Sequence, residues 1–237
     1  MNIVKLNSGD WELNIDLDGG RIESLKKNKE LILGSFKRID GKNGNTHLCV
    51  PNFASDGVEK YGLPFHGIFR NAKWNLVSQN DDLLEIDCEV DGFYVRQLFA
   101  FINGSFDQKV VIENIGEQEK SVNAAIHNYW SSDLGWDEVF LNGMNIGTLI
   151  RNSEFINLKQ LNDLNIPGKP RIKWQLFGFN YAKLWTAFLE ESGNKIFDKN
   201  YFCLEPIMQK DENFFCSLES MLNPKAKLEL RQTILVG

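Results

Sequence analysis

The chain has 237 residues, 43% of them hydrophobic and 24% charged, with a formal net charge of −6. That composition describes a soluble globule with ample core. The scattered basic residues exclude a nucleic-acid or anionic-membrane surface, and no apolar run reaches membrane-spanning length. We expect one domain spanning residues 1–237, in keeping with the size of all-β folds. The opening MNIVKLNSGDWELNID carries no apolar signal-peptide core, so the expected location is cytoplasmic. The four cysteines, Cys49, Cys88, Cys203 and Cys216, form no CxxC pair and sit among apolar neighbours. They are expected to behave as small hydrophobes in a reducing compartment.

Period-two alternation dominates the chain. Trp11, Leu13, Ile15 and Leu17 alternate with Glu12, Asn14 and Asp16 up to the turn Asp18-Gly19-Gly20. Leu84, Ile86, Cys88 and Val90 alternate with Glu85, Asp87 and Glu89; Val110 and Ile112 follow a turn at Asn103-Gly104. Leu228, Leu230 and Ile234 lie opposite Lys227, Glu229, Arg231 and Thr233. Such one-sided alternation with frequent turn residues predicts antiparallel sheets, each with one buried face. No βαβ rhythm is present, so the predicted class is all-β. The best helical candidate is Phe155–Leu164, a short helix or a loop turn. Asn103-Gly104-Ser105 fits a glycosylation sequon but is expected to be only a hairpin turn.

Three stretches carry chemistry. Cys49–Trp74 is punctuated by Pro51, Gly57, Gly62 and Pro64 too often for a helix, and it is expected to be a long ordered loop. It holds Phe53, Trp74, His66 and Arg70, and loops on a rigid scaffold are where binding residues concentrate. Val122–Trp130 (VNAAIHNYW) reads as a strand ending at His127, followed by Tyr129 and Trp130. Tyr201–Met208 (YFCLEPIM) places Glu205 as the single charged residue in an apolar strand, a costly position unless it is paired or used. Each stretch also has a plain structural reading: a solvated Arg, a core-edge His, a strand-end Glu.

Taken in order, the three stretches resemble the aldose 1-epimerase (galactose mutarotase-like) superfamily, nearest its shorter hexose-6-phosphate-mutarotase-like branch. The resemblance rests on Pro51-Asn52-Phe53, on Leu63-Pro64-Phe65-His66-Gly67 with Arg70 and Trp74, on His127, Tyr129 and Trp130, and on Cys203, Glu205 and Pro206. Gly19–Leu25 also looks like the family's early glycine turn. The resemblance implies a large twisted antiparallel β-sandwich with a sugar site on a concave face. It implies Glu205 as general base and His127 as general acid, with His66 and Arg70 holding sugar hydroxyls. Phe53, Trp74, Tyr129 or Trp130 would stack on the sugar ring.

Interconverting anomers means opening the ring and closing it on the other face, which a carboxylate and an imidazole can do near neutral pH. Burial should raise the Glu205 pKa, a cation such as Arg70 should oppose that, and His127 should titrate in the useful range unaided. The expected partner is a hexose or hexose phosphate; the expected cofactor is none, the expected metal is none, and the expected assembly is a monomer or weak dimer.

The branch's Arg-Gly-Gly segment, implied to bind a 6-phosphate, is replaced by Lys42–Leu48, which has no arginine. Lys42, Arg38 and Arg96 are candidate substitutes, and the phosphate question stays open. Asp133 and Asp137 are the candidates for a further sugar-gripping acid, and His47 reads as structural. The alternative function is a non-catalytic carbohydrate-binding or sugar-sensing β-sandwich. A metal site of two histidines and a glutamate is disfavoured by the lack of HxH or HExxH spacing.

Overall fold

The computed structural model describes residues 2–210 and 220–237. Cys216 lies outside them; the three described cysteines are buried and carry no disulfide. The alternating stretches form strands Trp11–Asp16, Leu83–Val90, Ser105–Asn114 and Lys227–Val236. Their apolar positions turn inward, because neighbouring side chains on a pleated strand point to opposite faces. The hairpin at 103–104 has two loop residues, Asn103 (φ 51°) and Gly104 (φ 76°), between Ile102 and Ser105, which pair. Both central residues take positive φ, as a tight hairpin that follows the strand twist requires.

Two large antiparallel sheets result. Among the described residues the first has eleven strands. Its main path runs Ile3–Ser8, Trp11–Asp16, Arg21–Lys27, Glu30–Lys37, Tyr129–Ser131, Tyr201–Ile207, Ala125–His127 and His47–Cys49. Tyr181–Trp185 also pairs with Tyr201–Ile207, and Phe155–Asn157 pairs beyond it. The nine-stranded second sheet is centred on Ile172–Phe177, Lys227–Val236, Ser105–Asn114 and Phe93–Ile102. Leu13, Ile15 and Leu33 of the first sheet share one buried cluster with Leu84, Val110 and Ile234 of the second. This is an all-β sandwich: the alternation predicted its antiparallel sheets, and the resemblance implied their packing as a sandwich. No helix among the described residues is long and apolar enough to cross a membrane.

Two expectations change. Phe155–Leu164 is neither helix nor turn: it contributes strands Phe155–Asn157 and Leu161–Asn165. Pairing with Tyr181–Trp185 and Ile172–Phe177 overrides its weak local preference. The loop from Pro51 to Trp74 contains one helical turn, Val58–Tyr61, and a 3₁₀ turn, Phe69–Asn71. Gly57 and Gly62 bound the helical turn at positive φ, so the glycines delimit it rather than forbid it.

A buried amide chain ties the sheets together. Gln97 Nε2 donates to the Gly20 carbonyl, Gln108 Nε2 donates to Gln97 Oε1, and Gln232 Nε2 donates to Gln108 Oε1. Asn128 Nδ2, on the first sheet, donates to Gln232 Oε1, which also accepts from Trp174 Nε1. Gln232 occupies the inward position between Leu230 and Ile234, where the hydrophobic alternation lapses.

Candidate active site

All three histidines of the chain converge. His127 ends the strand Ala125–His127 and lies directly across from His47 in the pairing with His47–Cys49. Their rings stack with centroids 4.9 Å apart, and His66 meets His127 edge-on at 4.8 Å. Tyr129 also stacks on His127, at 4.9 Å. The Glu205 strand follows in the sheet, and His127 Nε2 lies 3.3 Å from Glu205 Oε2.

The loop delivers His66 through a tight turn. His66 itself has φ 64° and Gly67 φ 77°, and Gly67 sits so close to the strand end that an added Cβ would lie 2.1 Å from the Val50 carbonyl oxygen. A non-glycine residue in the left-handed region costs free energy and persists only where its surroundings hold it. Here the His66 amide donates to the Ala54 carbonyl, and the Ala54 amide donates back to His66 Nδ1 at 3.2 Å. His66 Nδ1 is therefore an acceptor, and Nε2 carries the proton. His47 has the opposite tautomer: Nδ1 donates to the Asn45 carbonyl at 2.7 Å, leaving a buried Nε2 lone pair with no hydrogen-bond partner among the described residues.

These groups sit where two lobes of one cleft meet. The first lobe, about 150 Å³, is lined by Phe53, Phe155, Trp185, Asp56, Lys183 and Glu205. The second, about 380 Å³, is lined by Arg38, Lys42, Arg70, His47, Tyr129 and Asn45. Phe65, His66, His127 and Trp185 border both. One lobe is thus aromatic-walled and the other basic.

Burial dominates the electrostatics. It pushes Glu205, 2% exposed, well above the ordinary carboxylate range, and the opposing cation is Lys183 rather than Arg70. Burial pushes His127 well below its usual value, with His66, His47 and Arg70 adding to the effect, so His127 does not titrate unaided near neutrality. Burial and then Arg70 lower His47 to about 3; burial, His47 and Arg70 lower His66 to about 2. Desolvation penalises the charged form of each group, so the His127–Glu205 pair favours states of low net charge.

Strand parity separates the expected site residues. His127 and Tyr129 point to the cleft side, so Asn128 and Trp130 point to the core. Trp130 is fully buried in the core cluster, donates to the Leu204 carbonyl and packs edge-on against Trp174. Trp74 is likewise core: it donates to the Phe69 carbonyl and covers Gly20, whose missing Cβ makes room for the indole. Neither tryptophan lines the cleft, so the ring-stacking role expected of them does not fit their positions. Phe53, Tyr129, His66, Arg70, His127 and Glu205 do line it.

Asp133 and Asp137 are ion-paired elsewhere, with Lys169 and with Arg151 and Lys199 respectively. Among the described residues, the other carboxylate on the cleft is Asp56, beside Asn123. Arg96 pairs with Glu85 on the other sheet, whereas Arg38 and Lys42 do line the basic lobe. Sequence reasoning passed over Asp56, Phe155, Lys183 and Trp185 and set His47 aside. The one available signal for His47 was that the chain has so few histidines.

Two trios of potential metal-ligand atoms lie here, His47–Cys49–His66 and His127–Cys203–Glu205. The guanidinium groups of Arg38 and Arg70 share the lobe with His47 and His66, and their positive charge opposes a divalent cation there.

No family model matches the chain, and no curated protein matches it in sequence. Its fold, however, is that of the galactose mutarotase-like proteins. A galactose mutarotase related enzyme from Lactobacillus acidophilus superposes with a TM-score of 0.77 at 11% identity, over 99% of this chain and 97% of that one. A galactose mutarotase-like protein from Lactobacillus casei gives 0.75 at 12% identity, over 99% and 100%. The GalM/aldose epimerase homologue from C. elegans gives 0.64 at 12% identity, over 99% and 98%.

Proposed function

We propose that the protein is an aldose 1-epimerase, interconverting the α and β anomers of a hexose by reversible ring opening. The observation that carries this reading is the buried His127–Glu205 pair, 3.3 Å apart at the junction of two cleft lobes. With a sugar bound, the Glu205 carboxylate removes the proton from the anomeric hydroxyl while His127 protonates the ring oxygen. The bond from the anomeric carbon to the ring oxygen breaks, leaving the open-chain aldehyde. Rotation about the bond between C1 and C2 presents the other face. Reclosure returns one proton from Glu205 to the carbonyl oxygen and one from the ring-oxygen hydroxyl to His127.

The reaction moves protons between the same two groups in both directions, so neither should be locked in one state. A pair in which burial disfavours both charges meets that need, because the neutral and ion-pair forms differ only by one transferred proton. His66, with Nε2 protonated, donates to a sugar oxygen, and Arg70 holds a hydroxyl. Phe53 and Trp185 offer faces to the apolar side of the ring. The basic side chains Arg38, Lys42 and Arg70 support a hexose phosphate over a free hexose, since a dianion gains most from such a lobe.

Polarimetry of freshly dissolved α-D-glucose, α-D-galactose and glucose 6-phosphate tests the reading. The expected result is mutarotation above the spontaneous rate with at least one sugar. Losing the acid–base pair through Glu205→Gln should reduce it by roughly a hundredfold or more. Folded protein that accelerates none of the three overturns it and leaves a sugar-binding protein, which titration calorimetry with the same sugars would reveal.

A further inference from the structure

Lys183 is the direct cross-strand partner of Glu205: Tyr181–Trp185 pairs with Tyr201–Ile207 in a register that sets Lys183 opposite Glu205. Both side chains line the first lobe. Three features hold the lysine there. Its own strand is paired on the far side, with Phe155 opposite Lys183. Its Nζ donates to the Ser153 carbonyl and lies 4.4 Å from the centre of the Phe155 ring. Fixing a long, flexible side chain costs entropy, and a tether of this kind offsets that cost in advance of the reaction.

Among the described residues, most groups packed closest around Glu205 carry no fixed charge. His66 comes from the loop, and burial keeps its imidazole neutral; His127, from the neighbouring strand, shares a single proton with Glu205. Cys49, Cys203 and Tyr129 surround the carboxyl as well, and burial pushes all three upward, toward the protonated form. Asp56 lines the same lobe. Of the two lysines lining this lobe, Lys183 and Lys210, Lys183 is the one whose charge favours an ionised Glu205 and the one whose strand pairs with the Glu205 strand.

We propose that Lys183 is a positioning residue: its tethered ammonium draws the proton shared by the pair away from Glu205 and onto His127, setting the ion-pair form that ring opening requires. The inference rests on the acid–base role proposed for Glu205. No bond to Lys183 forms, and its proton stays in place; it acts through Glu205 alone. Because β pairing fixes it to the same sheet as Glu205, it is in position before any sugar arrives.

The test compares the full-length protein with Lys183→Met and Lys183→Arg. In Lys183→Met, kcat at pH 7 should fall roughly tenfold with KM little changed, and the alkaline limb of the pH–rate profile should move up by about one pH unit. Lys183→Arg should restore the wild-type profile. Carboxyl ¹³C NMR of labelled glutamate, with Glu205→Gln assigning the resonance, supplies a readout that needs no turnover. There the Glu205 titration should rise in Lys183→Met and return in Lys183→Arg. An unmoved Glu205 titration in folded Lys183→Met overturns the proposal even if the wild type is an active epimerase. A moved titration in a protein without epimerase activity upholds the electrostatic role and overturns only the activity.

Discussion

His47 and His127 stack 4.9 Å apart across a strand pairing, and each has a buried ring nitrogen with no hydrogen-bond partner among the described residues. With His66 they form one desolvated cluster, in which burial keeps the imidazoles of His47 and His66 neutral. Below an unfolded-state pKa near 6.5 the unfolded chain takes up protons that the folded chain refuses, until pH reaches about 3 for His47 and about 2 for His66. Stability is therefore present above that unfolded value and lost as pH falls below it, by about 1.4 kcal/mol per pH unit for each imidazole. Urea unfolding at pH 7, 6 and 5 should show this slope, and His47→Gln should remove about one proton's share. An unchanged slope in that variant would contradict the neutral assignment of His47.

Glu205 carries the opposite sign. Its folded pKa lies above its unfolded one, so its penalty is absent at low pH and grows as pH rises through the window between them. Glu205→Gln should gain stability over the wild type at pH 8, relative to pH 4, while losing turnover. Thermal melts at the two pH values check it. This trade of stability for activity is expected where a charge is buried for chemistry.

Trp130 and Trp74 are core residues, and their substitutions should behave as core substitutions. Trp130→Phe and Trp74→Phe should each cost about 1–3 kcal/mol of stability and change KM less than threefold. Phe53→Ala and Trp185→Ala, both on the cleft, should instead raise KM. Steady-state kinetics beside urea denaturation separates the two patterns, and a large KM effect from Trp130→Phe would return that residue to the site.

The basic lobe gives a substrate-dependent prediction. Arg38→Ala combined with Lys42→Ala should raise KM for glucose 6-phosphate by roughly tenfold, equivalent to about 1.4 kcal/mol. The same variant should leave the rate with a free hexose unchanged. Equal loss for both sugars would mean that the lobe does not hold a phosphate.

Gly67 is a steric prediction. An alanine there would force its Cβ to 2.1 Å from the Val50 carbonyl oxygen at a φ of 77°. Gly67→Ala should destabilise the protein by about 1–3 kcal/mol and displace His66. A variant with wild-type stability and turnover would show that the turn can relax.

Much of the sandwich was legible because alternation reports which face of a strand is buried, and Trp11–Leu17 and Leu84–Val90 alternate cleanly. The three blocks around His66, His127 and Glu205 also met in one cleft, as their resemblance implied. Parity could have placed Trp130: it is three residues from His127 and so on the opposite face, but the aromatic pair Tyr129-Trp130 invited a joint reading. Lys183 left no signal in the sequence, and His47 left only the scarcity of histidine. Each matters through its cross-strand partner, and register between strands distant in sequence leaves no local trace. Asp56 and Phe155 likewise join the cleft only once the loop and the sheet edge are in place. The shifted titration of His127 follows from burial by those same distant elements.

The amide chain from Gly20 through Gln97, Gln108 and Gln232 to Asn128 has a consequence for how the molecule tolerates error. Sliding any one of its strands by a single residue would turn an amide out of line and leave its neighbours' donors and acceptors stranded in a dry interior. A mispaired sandwich that looks acceptable to greasy side chains is thereby marked as wrong. Because Asn128 is the residue next to His127, the far sheet acts as a proofreader for the histidine, and only a correctly threaded chain presents its imidazole to the cleft.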